Sequence, residues 1–434
     1  MKSAIDLLNE LLLRGANLSV EDENLRVHAP VGSVTPELLK QVSLHKPEIL
    51  RFLRRSPPLR RRNDGTRPSL SFAQQRLWVL EQLAPGSAAY NLPMLQRFKG
   101  HMDIGVLRRA VDDLVKRQES LRTTFVSEDG KPVQVIAPEL AVVVEEEAVD
   151  SEQVLEERLK VLCAEPFDLA TGPLFRVRVL RLTDTEQVLF LMMHHIVSDG
   201  WSRGVLFREL SALYAGHRKG EEVSLPVLPA QYADYAVWQR AWLQGEELAR
   251  QVAYWKEKLA GVPPVLELPA DRPRPTVQSY RGGYVTHEVS AQLAERLKKF
   301  AQCHGCTLFM VMLAAFKVLL SRWTGQQDVV VGTPIAGRQR SELEGLIGFF
   351  VNTLVLRADL SGDPSFVDVV DQVTLGAGCV CAPGTAVREV GGGTESGAQY
   401  GPRADRAGDV WALQRAVRGA AVGWARCVGA VDTC

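Results

Sequence analysis

Charge of one sign is missing from this chain: 51 Lys and Arg stand against 51 Asp and Glu, for a net charge of +0. A balanced chain gives no reason to expect a nucleic-acid or anionic-membrane partner. Long apolar runs are missing too, and none approaches the roughly 18–20 residues that span a bilayer. Met1-Lys2 leads into Asp6, Asn9 and Glu10 on an amphipathic pattern, which does not read as a signal peptide. No regular cysteine spacing exists. Seven cysteines, an odd number, argue against a disulfide framework and fit a reducing cytoplasm. The last stretch is the poorest of all. Residues 374–434 contain no Ile, Phe, Lys, Met, Asn or His, yet hold four of the seven cysteines. Their apolar periodicity is patchy and Gly391-Gly392-Gly393 breaks any element. The expectation is an aberrant, disordered tail, read out of frame from GC-rich DNA. A natural low-complexity tail is the rival reading.

What is present suits a globular protein. A length of 434 residues implies two or three domains, and 46% hydrophobic residues can build a sizeable core. The divisions read as 1–55, a linker at 56–67, a first α/β region at 68–245, a second at 246–373 and the tail at 374–434. In the first division Ile5, Leu8, Leu11 and Leu12 recur at helical spacing, and Gly15 stops the helix. Leu18-Ser19-Val20 and Leu25-Arg26-Val27 predict a small hairpin. Thr35-Pro36-Glu37 opens a second helix and Lys46-Pro47-Glu48 a third. The linker carries Pro57, Pro58, Arg60, Arg61 and Arg62, followed by Asn63-Asp64-Gly65. It reads as a solvated tether, with contact to an acidic partner as the less favoured alternative.

The most informative stretch runs from Met193 to Ser202: Met193-His194-His195-Ile196-Val197-Ser198-Asp199-Gly200-Trp201-Ser202. The apolar run from Val188 to Met193 has no polar face and predicts a central strand covered on both sides. Strand alternation would send His194 and His195 to opposite faces. Leu174 to Leu182 alternates with Arg176, Arg178 and Arg181 and predicts one solvated face. A histidine suits proton movement near neutral pH. Asp199 either orients that imidazole, as in a triad, or pairs with an arginine and locks the turn. Gly200-Trp201-Ser202-Arg203-Gly204 matches the nucleophile-elbow string, but Ser202 lies inside the helical pattern and not on a sharp turn before it. A His-x3-Asp metal half-site lacks a third and fourth ligand at a recognisable spacing, so no metal is expected. Beyond it, Ala291 to Gln302 and Leu308 to Trp323 predict helices, the second apolar all round and therefore buried. Asp328 to Pro334 reads as a central strand, and the helix opened by Pro364 stops near Val373. Cys303-x-x-Cys306 has no second pair nearby and reads as core or chance.

Two resemblances join these pieces. Residues 4–54, with Leu18-Ser19-Val20 and His45-Lys46-Pro47-Glu48 as the most specific parts, resemble the tubulysin-type N-terminal docking domain of peptide and polyketide synthetase subunits. The stretch around His195 resembles the core motif of nonribosomal peptide synthetase condensation domains, which share the chloramphenicol-acetyltransferase-like fold. Four more blocks match in order. They are Ser71 to Trp78, Arg117 to Phe125 (with Gln118 where His is usual), Tyr232 to Trp238 and Ile347 to Arg357. His194 in place of Asp argues against the heterocyclising variant, Trp201-Ser202 against epimerisation, and Ser87-Ala88-Ala89-Tyr90-Asn91 is similar to the subtype with an L-configured donor. The family's sixth and seventh blocks are absent, so the second lobe, and with it half of the tunnel around the histidine, is expected to be incomplete.

The resemblance implies an α/β (α+β) fold of two chloramphenicol-acetyltransferase-like lobes behind a helix-hairpin-helix-helix domain. It implies amide-bond formation between a donor acyl or peptidyl thioester and an acceptor aminoacyl thioester. Both would ride on 4′-phosphopantetheine arms of upstream and downstream carrier proteins, with no cofactor held by the chain itself. The docking domain would capture the C-terminal tail of an upstream subunit. Site residues implied are His195, His194, Asp199 and Gly200, supported by Arg122, Arg338 and Trp201, with either arginine a candidate partner for Asp199. An inert docking fragment and a free-standing coenzyme-A-dependent acyltransferase are the alternatives.

Overall fold

The computed structural model describes Leu7, Leu11 and residues 16–21, 24–29, 34–54, 59–62, 66–273, 285–338 and 340–378. The expected first helix, apart from Leu7 and Leu11, and the expected aberrant tail beyond residue 378 lie outside them. Near the N-terminus, β1 (Asn17–Glu21) and β2 (Asn24–His28) pair antiparallel, with Leu18 opposite Val27 and Val20 opposite Leu25. α1 (Pro36–Leu44) starts where its capping chemistry places it: Thr35 Oγ1 accepts from the Leu38 N–H at 3.3 Å. α2 (Lys46–Arg54) follows. Leu7, Leu11, Leu18, Leu38, Val42 and Ile49 share one small core.

The chain divides into two compact units. One comprises Ser56–Glu247 and Ala336–Asn352. The other comprises Leu248–Ile335 and residues from Thr353 on, grouped with Met1–Arg55. The first unit contains α3 (Phe72–Leu83), β3 (Asn91–Lys99), α4 (Ile104–Arg117), β4 (Thr123–Glu128), β5 (Lys131–Ile136), β6 (Val144–Ala148) and α5 (Glu152–Ala164). It continues with β7 (Phe175–Thr183), β8 (Glu186–His194), α6 (Gly200–Lys219) and α7 (Tyr232–Trp242). Its main sheet has the order β3-β8-β7-β6, with β6 parallel to β7 and the other neighbours antiparallel. β4 and β5 form a separate hairpin.

β8 explains its own composition. Leu189, Leu191 and Met193 enter a core with Val111 and Leu114 of α4 and Leu206 and Leu210 of α6. Val188, Phe190 and Met192 enter a second core with Leu77 of α3 and Leu155 and Leu162 of α5. Both faces are dry, and each such side chain contributes about 1.5–3 kcal/mol of burial. On β7 the face expected to be solvated is half-buried, because Arg176 and Arg178 pair with Glu165 and Glu145.

The linker is not a free tether. Leu59 packs beside Tyr232 and Tyr235, Arg61 Nη2 donates to the Leu228 carbonyl at 3.0 Å, and Arg62 pairs with Asp234 and Glu119. Of its basic residues, Arg62 finds acidic partners within the chain.

The second unit contains most of α8 (Gly245–Lys258), then α9 (Ala291–Cys303), α10 (Leu308–Thr324), β9 (Asp328–Ile335), β10 (Asn352–Asp359) and α11 (Phe366–Gly378). Trp255, Leu313, Val329, Val331, Leu354, Val369 and Val373 lie in its core. Three expectations need correction. α10 buries Met310, Leu313 and Leu320 but exposes Phe309, Met312, Leu319 and Trp323, because its packing partners among the described residues line one side only. β9 has β10 as its one strand neighbour among the described residues, so it is not central there. α11 runs on past Val373 to Gly378. Among the described residues no single helix is long and apolar enough to cross a membrane.

Candidate active site

The site forms where β8 gives out. The strand ends at His194, and His195–Val197 make a single 3₁₀ turn before Asp199 caps α6. Strand alternation therefore stops at His194, and His195 opens the turn. His194 lies with Tyr90 and Phe167, at ring-centroid distances of 6.2 Å and 6.0 Å. Its Nδ1 accepts from the Ile196 N–H at 3.1 Å. Burial, with the neighbouring His195 adding to it, pushes its pKa down to about 3. His194 is neutral at physiological pH and takes up no proton there.

His195 is held differently. Its Nδ1 lies 2.8 Å from the Ser198 carbonyl, which can only accept, so Nδ1 carries the proton. In the neutral ring the lone pair is then on Nε2. The ring packs edge-on against Phe349 at 4.7 Å between centroids.

Asp199 does not orient that imidazole. Its Oδ1 accepts from the Ser202 N–H and lies within bonding reach of the Ser202 hydroxyl, each at 2.8 Å, and takes Arg338 Nη2 at 3.2 Å. Its Oδ2 accepts from the Phe350 N–H at 3.1 Å. The Arg338 guanidinium is itself buried. Burial lowers its pKa, opposed by the Asp199 carboxylate. It also donates to the carbonyls of Leu343 and Leu346 and stacks 3.9 Å from the Phe350 ring. A carboxylate so engaged braces the turn. Of the two candidate arginines the structure brings Arg338 to Asp199. Arg122 bonds the Ala137 carbonyl and lies 3.9 Å from Glu119 instead, since it faces the β5 end of its own hairpin. Gly200 starts α6 in an exposed position, and Trp201 is 44% exposed with its indole N–H donating to the Glu344 carbonyl at 3.0 Å.

Sequence reading missed the clamp beneath the turn. Residues 345–350 pass under it and are fastened at each step. Gln118 uses its whole amide: Nε2 donates to Gly345 O and Glu209 Oε2, and Oε1 accepts from the Ile347 N–H, all at 3.0 Å. The Ser202 hydroxyl accepts from the Gly348 N–H at 3.0 Å and from Arg338 Nη2 at 2.9 Å. The Tyr232 hydroxyl donates to Phe349 O at 2.6 Å and accepts from Ser71 Oγ at 2.8 Å. Two glycines allow the close approach. A Cβ on Gly348 would lie 1.9 Å from the Tyr232 ring, and one on Gly337, at φ +65, would lie 2.1 Å from Phe350 O. Gln118 was legible only as a departure from a motif, and Ser202 only as a poor elbow serine and a marker of subtype.

Among the described residues no group of three or more His, Cys, Asp or Glu could hold a metal ion. Cys303 is exposed and Cys306 half-buried.

Comparison with known proteins agrees with this geometry. Residues 66–377 match the condensation domain, and residues 5–55 match the TubC N-terminal docking domain. A linear gramicidin synthase of Brevibacillus parabrevis is 49% identical over 310 residues, 70% of this chain and 6% of that protein. Phosphinothricin tripeptide synthetase PhsB of Streptomyces viridochromogenes is 45% identical over 309 residues, 69% of this chain and 26% of that protein. The chain thus spans a small part of these relatives. The X-domain from teicoplanin biosynthesis superposes with a TM-score of 0.69 at 31% identity, covering 77% of this chain and 73% of that one. The first condensation domain of the calcium-dependent antibiotic synthetase, bound to a substrate analogue, shares the fold at a TM-score of 0.63 and 24% identity, with 77% and 79% covered. Condensation domains form amide bonds, an acyltransferase-type activity, and by the family match and the buried His-x3-Asp turn this chain belongs to the condensation-domain family of nonribosomal peptide synthetases, behind a TubC-type docking domain.

Proposed function

We propose that the chain joins a carrier-bound donor acyl or peptidyl thioester to a carrier-bound acceptor aminoacyl thioester. The observation that carries this is the 2.8 Å contact between His195 Nδ1 and the Ser198 carbonyl. With Nδ1–H given to the Ser198 carbonyl, Nε2 offers a lone pair to the α-amino group of the acceptor. The amine nitrogen attacks the donor carbonyl carbon, the new C–N bond forms and the C–S bond breaks. The donor carrier leaves as a thiol, and the proton lost by the amine ends on that sulfur. A free α-amino group has a pKa of about 8, so deprotonation needs little help. His195 then acts chiefly by holding the amine in line and stabilising charge as it develops. His194, neutral and buried, completes the turn, and Asp199 with Arg338 keeps it in place.

Upstream and downstream carrier proteins bring both substrates on phosphopantetheine arms. The N-terminal hairpin domain receives the C-terminal tail of an upstream subunit, and the whole works in the cytoplasm. The test is single-turnover dipeptide formation with loaded carriers. His195→Ala should abolish product while the melting temperature stays within a few degrees of the parent. Product at the parental rate would overturn the assignment.

A further inference from the structure

Arg62 sits in the stretch whose sequence reads as linker, yet it joins two elements that hold the active-site turn. Its backbone N–H and its Nη1 both donate to Asp234 Oδ1 at 3.1 Å, and its Nη2 donates to Glu119 Oε2 at 2.5 Å. Asp234 is almost wholly buried at the start of α7, where its Oδ2 accepts from the Gln231 N–H at 2.7 Å. The Gln231 amide then ties the two elements together, accepting from the Glu119 N–H at 3.2 Å and donating to the Arg117 carbonyl at 3.0 Å. Each element presents the next residue to the clamp: Tyr232 to Phe349, and Gln118 to Gly345 and Ile347. The far end of that clamp is the Phe350 N–H on Asp199 and the Phe349 ring on His195.

We infer that Arg62 is a positioning residue for the condensation reaction: by bridging Glu119 and Asp234 it fixes the register of residues 345–350 beneath the His195 turn. A guanidinium suits the task because its planar fork reaches two carboxylates at once, which an ammonium cannot do in the same geometry. Without it the buried Asp234 carboxylate has no cationic partner among the described residues, and α7 must shift toward solvent or lose its cap. The inference rests on the functional reading above for its kinetic consequence, but not for its structural one.

The test is amide hydrogen exchange on the full chain carrying Arg62→Gln, with Arg67→Gln as control, since Arg67 pairs with Glu128 at an exposed site. The amides of Ile347, Gly348 and Phe350 should exchange at least about tenfold faster in Arg62→Gln, while those of β8 stay unchanged. The same variant should lower kcat about tenfold or more with KM for both loaded carriers unchanged. Arg62→Lys should recover part of each effect. Unchanged exchange at residues 345–350, or an equal rise throughout the fold, would overturn the inference even in a chain with no turnover. Altered exchange with no turnover in the parent would count against the functional reading alone.

Discussion

Lys317 is the least expected side chain in the molecule. It lies fully buried on the inward face of α10, and its Nζ has no hydrogen-bond partner among the described residues. Burial pushes its pKa from 10.5 down to about 8. The unfolded chain therefore binds the proton more tightly than the folded one. Stability rises as pH climbs from about 8 to 10.5, and below that window the cost is carried in full. The difference of about 2.5 pH units corresponds to about 3 kcal/mol. Lys317→Met should accordingly raise the melting temperature at pH 7 and flatten its rise between pH 8 and 10.5. A variant no more stable than the parent at pH 7 would show that the amine is solvated after all. In the sequence Leu308 to Trp323 reads as apolar all round, and only the packing of the helix shows that this lysine lies on its buried side. The strand before His194 was legible as covered on both sides. What the strand pattern could not show is that the strand ends on it, which leaves His195 alone in the turn.

At the scale of elements, local chemistry was the most legible part. Thr35 with Pro36 and Ser71 with Gln74 cap helices where sequence rules place them, because a cap is decided by neighbours within four residues. Contacts across long separations were not legible. Arg122 and Arg338 were equal candidates for Asp199 by motif, and only tertiary placement separates them. The exposed side of α10 failed for a related reason, since apolar composition says what a face prefers and not what lies opposite it. The segment at 345–350 shows what such long-range packing demands. Gly348 lies against a Tyr232 ring that its hydroxyl bond to Phe349 O prevents from swinging aside. Gly348→Ala should cost about 1–3 kcal/mol in stability, as overpacked cores do. It should also reduce dipeptide formation at least about tenfold, through displacement of the Phe350 N–H from Asp199. Thermal denaturation and single-turnover rates would check both, and a parental melting temperature would show that the ring moves freely.

Across the whole molecule, the boundary between docking and condensation parts is where sequence and structure differ most usefully. The condensation match begins at residue 66, but the first compact unit begins at Ser56, and Leu59, Arg61 and Arg62 are already bound to it. A composition rich in Arg and Pro reads as tether because unpaired charges need water. Here Asp234 and Glu119 supply what water would. Two truncations separate the readings. A chain starting at Ser56 lacks the docking hairpin but keeps the strap. It should hold the parental melting temperature and turn over carriers supplied in trans, while losing affinity for an upstream tail peptide. A chain starting at Thr66 lacks both. Since it leaves Asp234 buried without its arginine, it should melt lower and lose turnover by about tenfold or more. Calorimetry and single-turnover assays on the pair isolate residues 56–65 as the cause. Equal stability in the two chains would return this stretch to the linker.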